Sequence, residues 1–191
     1  MLLLTGSPGV GKTSVLLRVV ESLKDKGYSV GGMVSREVRS GEVRVGFEIS
    51  DLGGSRRGWL AHVNQHSGPQ VGKYRVNLED LNSIGAEAIM KAVDKCDVIA
   101  IDEIGPMELF SEKFKEAVKR AVESRKVVIG VVHWKATDRL IEEVKKREDT
   151  EIITVTHENR NKLHEAIAEK AVKFLETKER EQYRKEIAEK L

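Results

Sequence analysis

Cysteine is almost absent from this 191-residue chain, and so is any long apolar run. The single cysteine, Cys96, can form no internal disulfide, which fits a reducing, cytoplasmic compartment. It reads as a packing residue near a helix end. No apolar stretch approaches the roughly 20 residues that span a bilayer, so no membrane partner is expected. The opening Met-Leu-Leu-Leu-Thr lacks the basic start and long apolar centre of a signal peptide, and reads as a first buried strand. Excess charge is missing too. Thirty-three Lys and Arg against 31 Asp and Glu leave a net +2, with no concentrated basic face to make nucleic acid an obligatory partner. Internal repeats and low-complexity segments are also missing. The length suits one domain with a small insertion and a substantial core. A charged fraction of 34% with few Asn and Gln resembles heat-adapted composition.

What is present is concentrated at the start. Gly6-Ser7-Pro8-Gly9-Val10-Gly11-Lys12-Thr13 fills the complete G-x-x-x-x-G-K-[ST] phosphate-loop pattern. An apolar run precedes it, and Val15, Leu16, Val19, Val20 and Leu23 follow at helical spacing. That context matters because a helix N-terminus presents backbone N–H donors and a positive dipole end. The glycines let the loop backbone wrap closely around phosphate oxygens. Lys12 reaches the β- and γ-phosphates, and the Thr13 hydroxyl can sit on Mg²⁺. The pattern therefore predicts a nucleoside triphosphate site.

The first helix ends at Gly27, a left-handed C-cap, and residues 28–35 read as a second strand whose Gly31 and Gly32 signal close backbone approach. Strand, helix, strand at this spacing gives a parallel α/β sheet. Residues 37–77 differ. Val43, Val45, Phe47 and Ile49 alternate onto one face after Ser40-Gly41, predicting a hairpin and an antiparallel insert. Further short strands are expected at 58–63 and 73–76, around a polar, mobile link at 64–72. The insert either builds a substrate or partner surface or merely extends the sheet edge. Helices are expected at 78–95, at 109–124 with Phe110 inward, at 137–147 capped by Thr137 or Asp138, and from Asn159 onward. Residues 126–132 read as a strand covered on both faces. The charged helical tail, 177–191, is expected to stand free of a core domain at 1–176.

The apolar run Val98-Ile99-Ala100-Ile101 ends in Asp102-Glu103. An acid closing a buried strand downstream of a phosphate loop is a Walker B arrangement, in which Asp102 holds Mg²⁺ opposite Thr13. Glu103 can orient and deprotonate a water attacking the γ-phosphate, or it can simply pair with a loop cation. His133 and Lys135, just past the strand at 126–132, are sensor candidates for the γ-phosphate. Arg36, Arg56, Arg57 and Arg160 are the arginine-finger candidates, and no spacing rule selects among them; without a finger in cis, turnover should be slow. Asn161-Lys162-Leu163-His164 has His where a guanine-reading Asn-Lys-x-Asp motif needs Asp, so guanine specificity is unsupported.

Several segments recur in order: 6–13, Gly-Gly-Met-Val-Ser-Arg-Glu-Val-Arg at 31–39, Val-Gly-Phe-Glu-Ile at 45–49, Val-Gly-Lys-Tyr at 71–74, Ile-Asp-Glu-Ile-Gly-Pro-Met-Glu-Leu at 101–109 and Glu-Asn-Arg at 158–160. Together they resemble the thermostable, or cancer-related, nucleoside triphosphatase family of P-loop enzymes, over about residues 1–175. The resemblance implies a RecA-like, mostly parallel sheet flanked by helices, with added antiparallel strands. It also implies slow hydrolysis of nucleoside triphosphates with broad base choice. Carried over, Gly6 to Thr13 and Val98, Ile99, Ala100, Ile101, Asp102, Glu103, Ile104 and Gly105 line the nucleotide site. Two other readings stand beside hydrolysis. One is a small nucleoside or polynucleotide kinase with its acceptor on the insert, though no Arg-rich lid segment is present. The other is a nucleotide-switched binding module.

Overall fold

A computed structural model describes residues 1–188, with side chains described as far as residue 177. Among these residues nine strands form one sheet. They are β1 (Leu2–Thr5), β2 (Val30–Ser40), β3 (Val43–Asp51), β4 (Arg57–His62), β5 (Gln70–Val71), β6 (Tyr74–Val76), β7 (Val98–Ile104), β8 (Val127–Val132) and β9 (Glu151–Thr154). Their order is β5-β6-β4-β3-β2-β7-β8-β1-β9. The half from β2 to β9 is parallel, and the half built by the insert is antiparallel.

Two apolar layers explain why the central strands are continuously hydrophobic. Helices α1 (Lys12–Asp25) and α6 (Leu163–Ala188) cover one face. The other carries α2 (Leu78–Asp80), a π-helical stretch (Leu81–Ala86), α3 (Glu87–Lys95), α4 (Glu112–Glu123) and α5 (Arg139–Lys145). Successive side chains of a strand point to opposite faces, so Leu2 and Leu4 enter the first layer and Leu3 the second. Val98 and Ala100 likewise oppose Ile99 and Ile101. None of the described helices is long and apolar enough to cross a membrane.

The two glycines of β2 are there for proximity. A Cβ on Gly32, whose φ is +117°, would lie 2.0 Å from the Ala100 carbonyl oxygen, and one on Gly31 would lie 2.7 Å from Cys96 Sγ. Cys96 caps the end of α3, where burial pushes its thiol pKa up.

The structure departs from expectation at several elements. Strand β2 does not stop at Ser35: its first half pairs with β7 and its second half with β3, so the insert grows from a core strand. The hairpin tip projects outward and Val43 is exposed, so only the later residues of β3 keep an inward face. Part of the polar link, Gln70–Val71, pairs as β5. Phe110 is 47% exposed rather than inward. It belongs to a short 3₁₀ turn, Glu108–Phe110, and the helical register starts only after Ser111, whose hydroxyl accepts from Phe114 N. Asp138, not Thr137, caps α5. Helix α6 starts at Leu163, because Asn159 closes a turn by accepting from Thr156 N. The expectation that the charged tail stands free of the core concerns side chains outside the described residues.

Phe114 is fully buried between α4 and the sheet. Phe114→Ala should cost about 3–5 kcal/mol through lost burial and the cavity left behind, measurable by chemical denaturation.

Candidate active site

The site forms where three parallel strands end together. The loop after β1 turns into α1 through Gly11, a left-handed N-cap with φ +103° and no side-chain cap, and α1 has no acid in its first turn. Its N-terminal N–H groups and dipole therefore face the loop without an internal anion to satisfy them. Gly6 is required by space: a Cβ there would lie 2.6 Å from the Val155 carbonyl oxygen. Val10 anchors the loop in the core, while Ser7 and Pro8 stay exposed. Lys12 is buried, and its ammonium donates to the carbonyls of Gly6 at 3.1 Å and Ser7 at 3.3 Å.

Strand β7 delivers the acids. Its ladder with β8 is irregular between Ile101 and Ile104, while Asp102 still pairs with Val34 of β2. Such irregularities re-aim side chains. Here Asp102 and Glu103 both line a cavity of about 410 Å³ over the phosphate loop. Asp102 is 1% exposed, and its Oδ2 has no hydrogen-bond partner. Burial pushes its carboxyl up to about 7, against the pull of the Thr13 hydroxyl and Lys12. Glu103 is also pushed up by burial, and is held down by Lys12 and then His133.

A third carboxyl escaped the sequence reading. Glu108 is fully buried and lines the same cavity; burial, then the charge of Glu103, pushes it up to about 8. Gly105 separates the two: a Cβ there would lie 3.1 Å from Glu103 Oε1 and 3.2 Å from Glu108 Oε2. The segment was visible in the sequence, but helical spacing could not show that a 3₁₀ turn swings Glu108 inward in place of Phe110.

The other expected residues divide. His133 lines the cavity, and its backbone N–H donates to the Ile104 carbonyl at 3.2 Å. Lys135 instead lies over the Trp134 ring. Arg36 is exposed and alternates with Ser35 and Glu37, the β2 residues that line the cavity. Arg57 is exposed and outside the lining, and Arg56 is tied to the Ser83 carbonyl and Glu87. Arg160 braces the outside of the loop, donating to the Val10 carbonyl at 3.3 Å and packing on Gly11. Among the described residues the arginine that lines the cavity is Arg44, which the sequence does not single out. It donates to the Tyr74 hydroxyl at 2.9 Å and to Glu37 at 2.7 Å. Val98, Ile99, Ala100, Ile101 and Ile104 are core residues whose side chains do not line the cavity.

A family model described as NTPase matches residues 1–168. The chain belongs to this NTPase family. It is 44% identical over 167 residues to nucleoside-triphosphatase THEP1 of Thermofilum pendens, covering 87% of this chain and 92% of the relative. The crystal structure of THEP1 from Aquifex aeolicus superposes with a TM-score of 0.77 at 32% identity, covering 87% of this chain and 96% of that one. The solution structure of a human cancer-related nucleoside triphosphatase gives 0.73 at 35% identity, covering 87% and 94%. The family's α/β fold and the parallel sheet described above agree.

Glu108 offers a test of the buried acids. Its carboxyl is raised in the folded state from 4.5 to about 8, so the folded protein binds more protons across that window. The stability it confers is complete below about pH 4.5 and is lost as pH rises through about 8. Glu108→Gln should remove this loss. The melting temperature of the nucleotide-free variant should therefore rise relative to the parent between pH 5 and pH 9; a constant difference would contradict the burial argument.

Proposed function

We propose that this chain hydrolyses nucleoside triphosphates (ATP, GTP, CTP and UTP) to the diphosphate and phosphate, with Mg²⁺, relaxed base choice and slow turnover. The observation that carries the reading is Glu103, a carboxylate that lines the cavity together with Lys12 and follows the buried Asp102. The β- and γ-phosphates lie in the Gly6–Thr13 loop, opposed by the N-terminal N–H groups of α1 and by the Lys12 ammonium. The Thr13 hydroxyl and the Asp102 carboxylate would hold Mg²⁺. These are hard oxygen donors, and the unpartnered, buried Oδ2 of Asp102 fits such an ion. When bound, Mg²⁺ supplies charge neutralisation at the β- and γ-phosphate oxygens.

Glu103 takes the proton from the water that attacks the γ-phosphorus in line; burial raises its affinity for that proton, and Lys12 and then His133 oppose the rise. His133 reports on the γ-phosphate from the end of β8. Turnover is slow because Arg44, the arginine lining the cavity among the described residues, is already engaged by Glu37 and Tyr74. Base choice is relaxed because the guanine-reading Asp is missing from Asn161-Lys162-Leu163-His164. The compartment is cytoplasmic, where Cys96 stays a thiol.

The test is phosphate release from each of the four triphosphates, with and without Mg²⁺, by the parent and by Glu103→Gln. The parent should turn over all four within about a factor of ten, and the variant should retain nucleotide binding while losing about 10²–10⁴-fold in rate. Normal turnover by Glu103→Gln would remove Glu103 from its role, and a strong preference for one base would contradict the relaxed specificity.

A further inference from the structure

The lining of the cavity is rich in carboxyls. Glu37, Asp102, Glu103 and Glu108 stand around it, and Lys12 is already committed to the Gly6 and Ser7 carbonyls and to the two acids of β7. A γ-phosphoryl group in transfer adds charge on its own oxygens and on the bridging oxygen it leaves. Arginine answers such charge with a planar fork of N–H donors. Arg36 and Arg57 lie outside the lining, Arg56 is tied to Ser83 and Glu87, and Arg160 braces the loop from outside.

Arg44 lines the cavity, and the contacts that hold it can be given up. It donates to the Tyr74 hydroxyl at 2.9 Å and to Glu37 at 2.7 Å, with its guanidinium carbon 5.2 Å from the centroid of the Phe47 ring. The Arg44 and Glu37 side chains are 42% and 34% exposed, so water screens the pair and losing it costs little. Glu37 also has a second partner. Arg39, directly opposite Arg44 in the β2–β3 ladder, pairs with the other oxygen of the same carboxylate. Like charges opposite each other across a ladder repel. When Arg44 leaves, that repulsion ends and Glu37 stays paired through Arg39.

We propose that Arg44 is the arginine of the hydrolytic transition state, and that Glu37 and Tyr74 form a latch that holds it back from the phosphates. The proposal rests on the hydrolytic reading above and deepens it. Arg44 is then a catalytic residue supplied in cis by the antiparallel insert, and Glu37 is a positioning residue that acts through it. In the reaction the water oxygen bonds to the γ-phosphorus and a water proton passes to Glu103. The bond to the β–γ bridging oxygen breaks, and its electron pair leaves on the nucleoside diphosphate. The released guanidinium offsets the charge that builds on the γ-phosphoryl and bridging oxygens. Each turnover has to undo the latch first, so the restraint subtracts from the rate that the arginine supplies.

The experiment measures phosphate release by the full chain at saturating ATP and Mg²⁺, for the parent, Glu37→Ala and Glu37→Ala/Tyr74→Phe, each with Arg44 and with Arg44→Ala. Sites are counted by stoichiometric binding of a fluorescent, non-hydrolysable ATP analogue, so unfolded protein does not enter the rate. Reading kcat at saturation sets aside any tighter binding that follows from losing the Glu37 charge. Glu37→Ala should raise kcat about two- to fivefold, the effect of one exposed ion pair. Tyr74→Phe, which keeps the ring against Phe47, should raise it further by removing a hydrogen bond to a charged group. With Arg44→Ala in place, neither substitution should raise kcat. A Glu37→Ala rate at or below the parent's overturns the latch. A gain that survives Arg44→Ala overturns it too, because the gain then comes from the missing carboxylate alone. Absence of phosphate release by the parent overturns the hydrolytic reading itself.

Discussion

The structure depends on bringing acids out of a fully buried strand beside a lysine. Strand β7 is covered on both faces as far as Ile101, and the next residues, Asp102 and Glu103, must be accommodated at the point where its ladder with β8 becomes irregular. A buried carboxylate without a counter-charge is costly. Lys12 supplies that charge to both acids, with the Thr13 hydroxyl beside Asp102 and His133 beside Glu103. The lysine is in turn held over the loop by the carbonyls of Gly6 and Ser7. The insertion of β8 between β1 and β7 is what brings His133 to the same cavity.

The insert is continuous with this arrangement. Because β2 runs on past β7 and turns into β3, the wall containing Ser35, Glu37, Arg44 and Phe47 is built on a strand already locked in the core. The sequence left open whether the insert merely widens the sheet. It does widen the sheet, and it also closes the far side of the phosphate cavity. A wall there can exclude bulk solvent from the reacting end.

The legible parts were those with strong local rules. Gly6 to Thr13 is a contiguous motif, and the unbroken apolar runs Leu2 to Leu4 and Val98 to Ile101 are the direct signature of strands buried on both faces. Asp102 and Glu103 were readable because they end such a run. What was lost depended on distant contacts or on short turns. Arg44 looks like one more exposed hairpin arginine until Tyr74 and Glu37 are seen to hold it. Glu108 and Phe110 exchange inward and outward places because a 3₁₀ turn precedes α4, and helical periodicity counts from the wrong residue there. Residue type and position make Arg36 and Arg57 finger candidates, but strand alternation or exposure takes them away from the cavity.

The central claim is that Asp102, whose Oδ2 has no hydrogen-bond partner and whose carboxyl lies beside the Thr13 hydroxyl, is a metal-holding carboxylate rather than a buried acid of the core. The most direct measurement is the affinity of the parent and of Asp102→Asn for a non-hydrolysable ATP analogue, with and without Mg²⁺. The parent should bind more tightly when Mg²⁺ is present, and the variant should bind the analogue without that gain. A variant that kept the full Mg²⁺-dependent tightening would contradict the account.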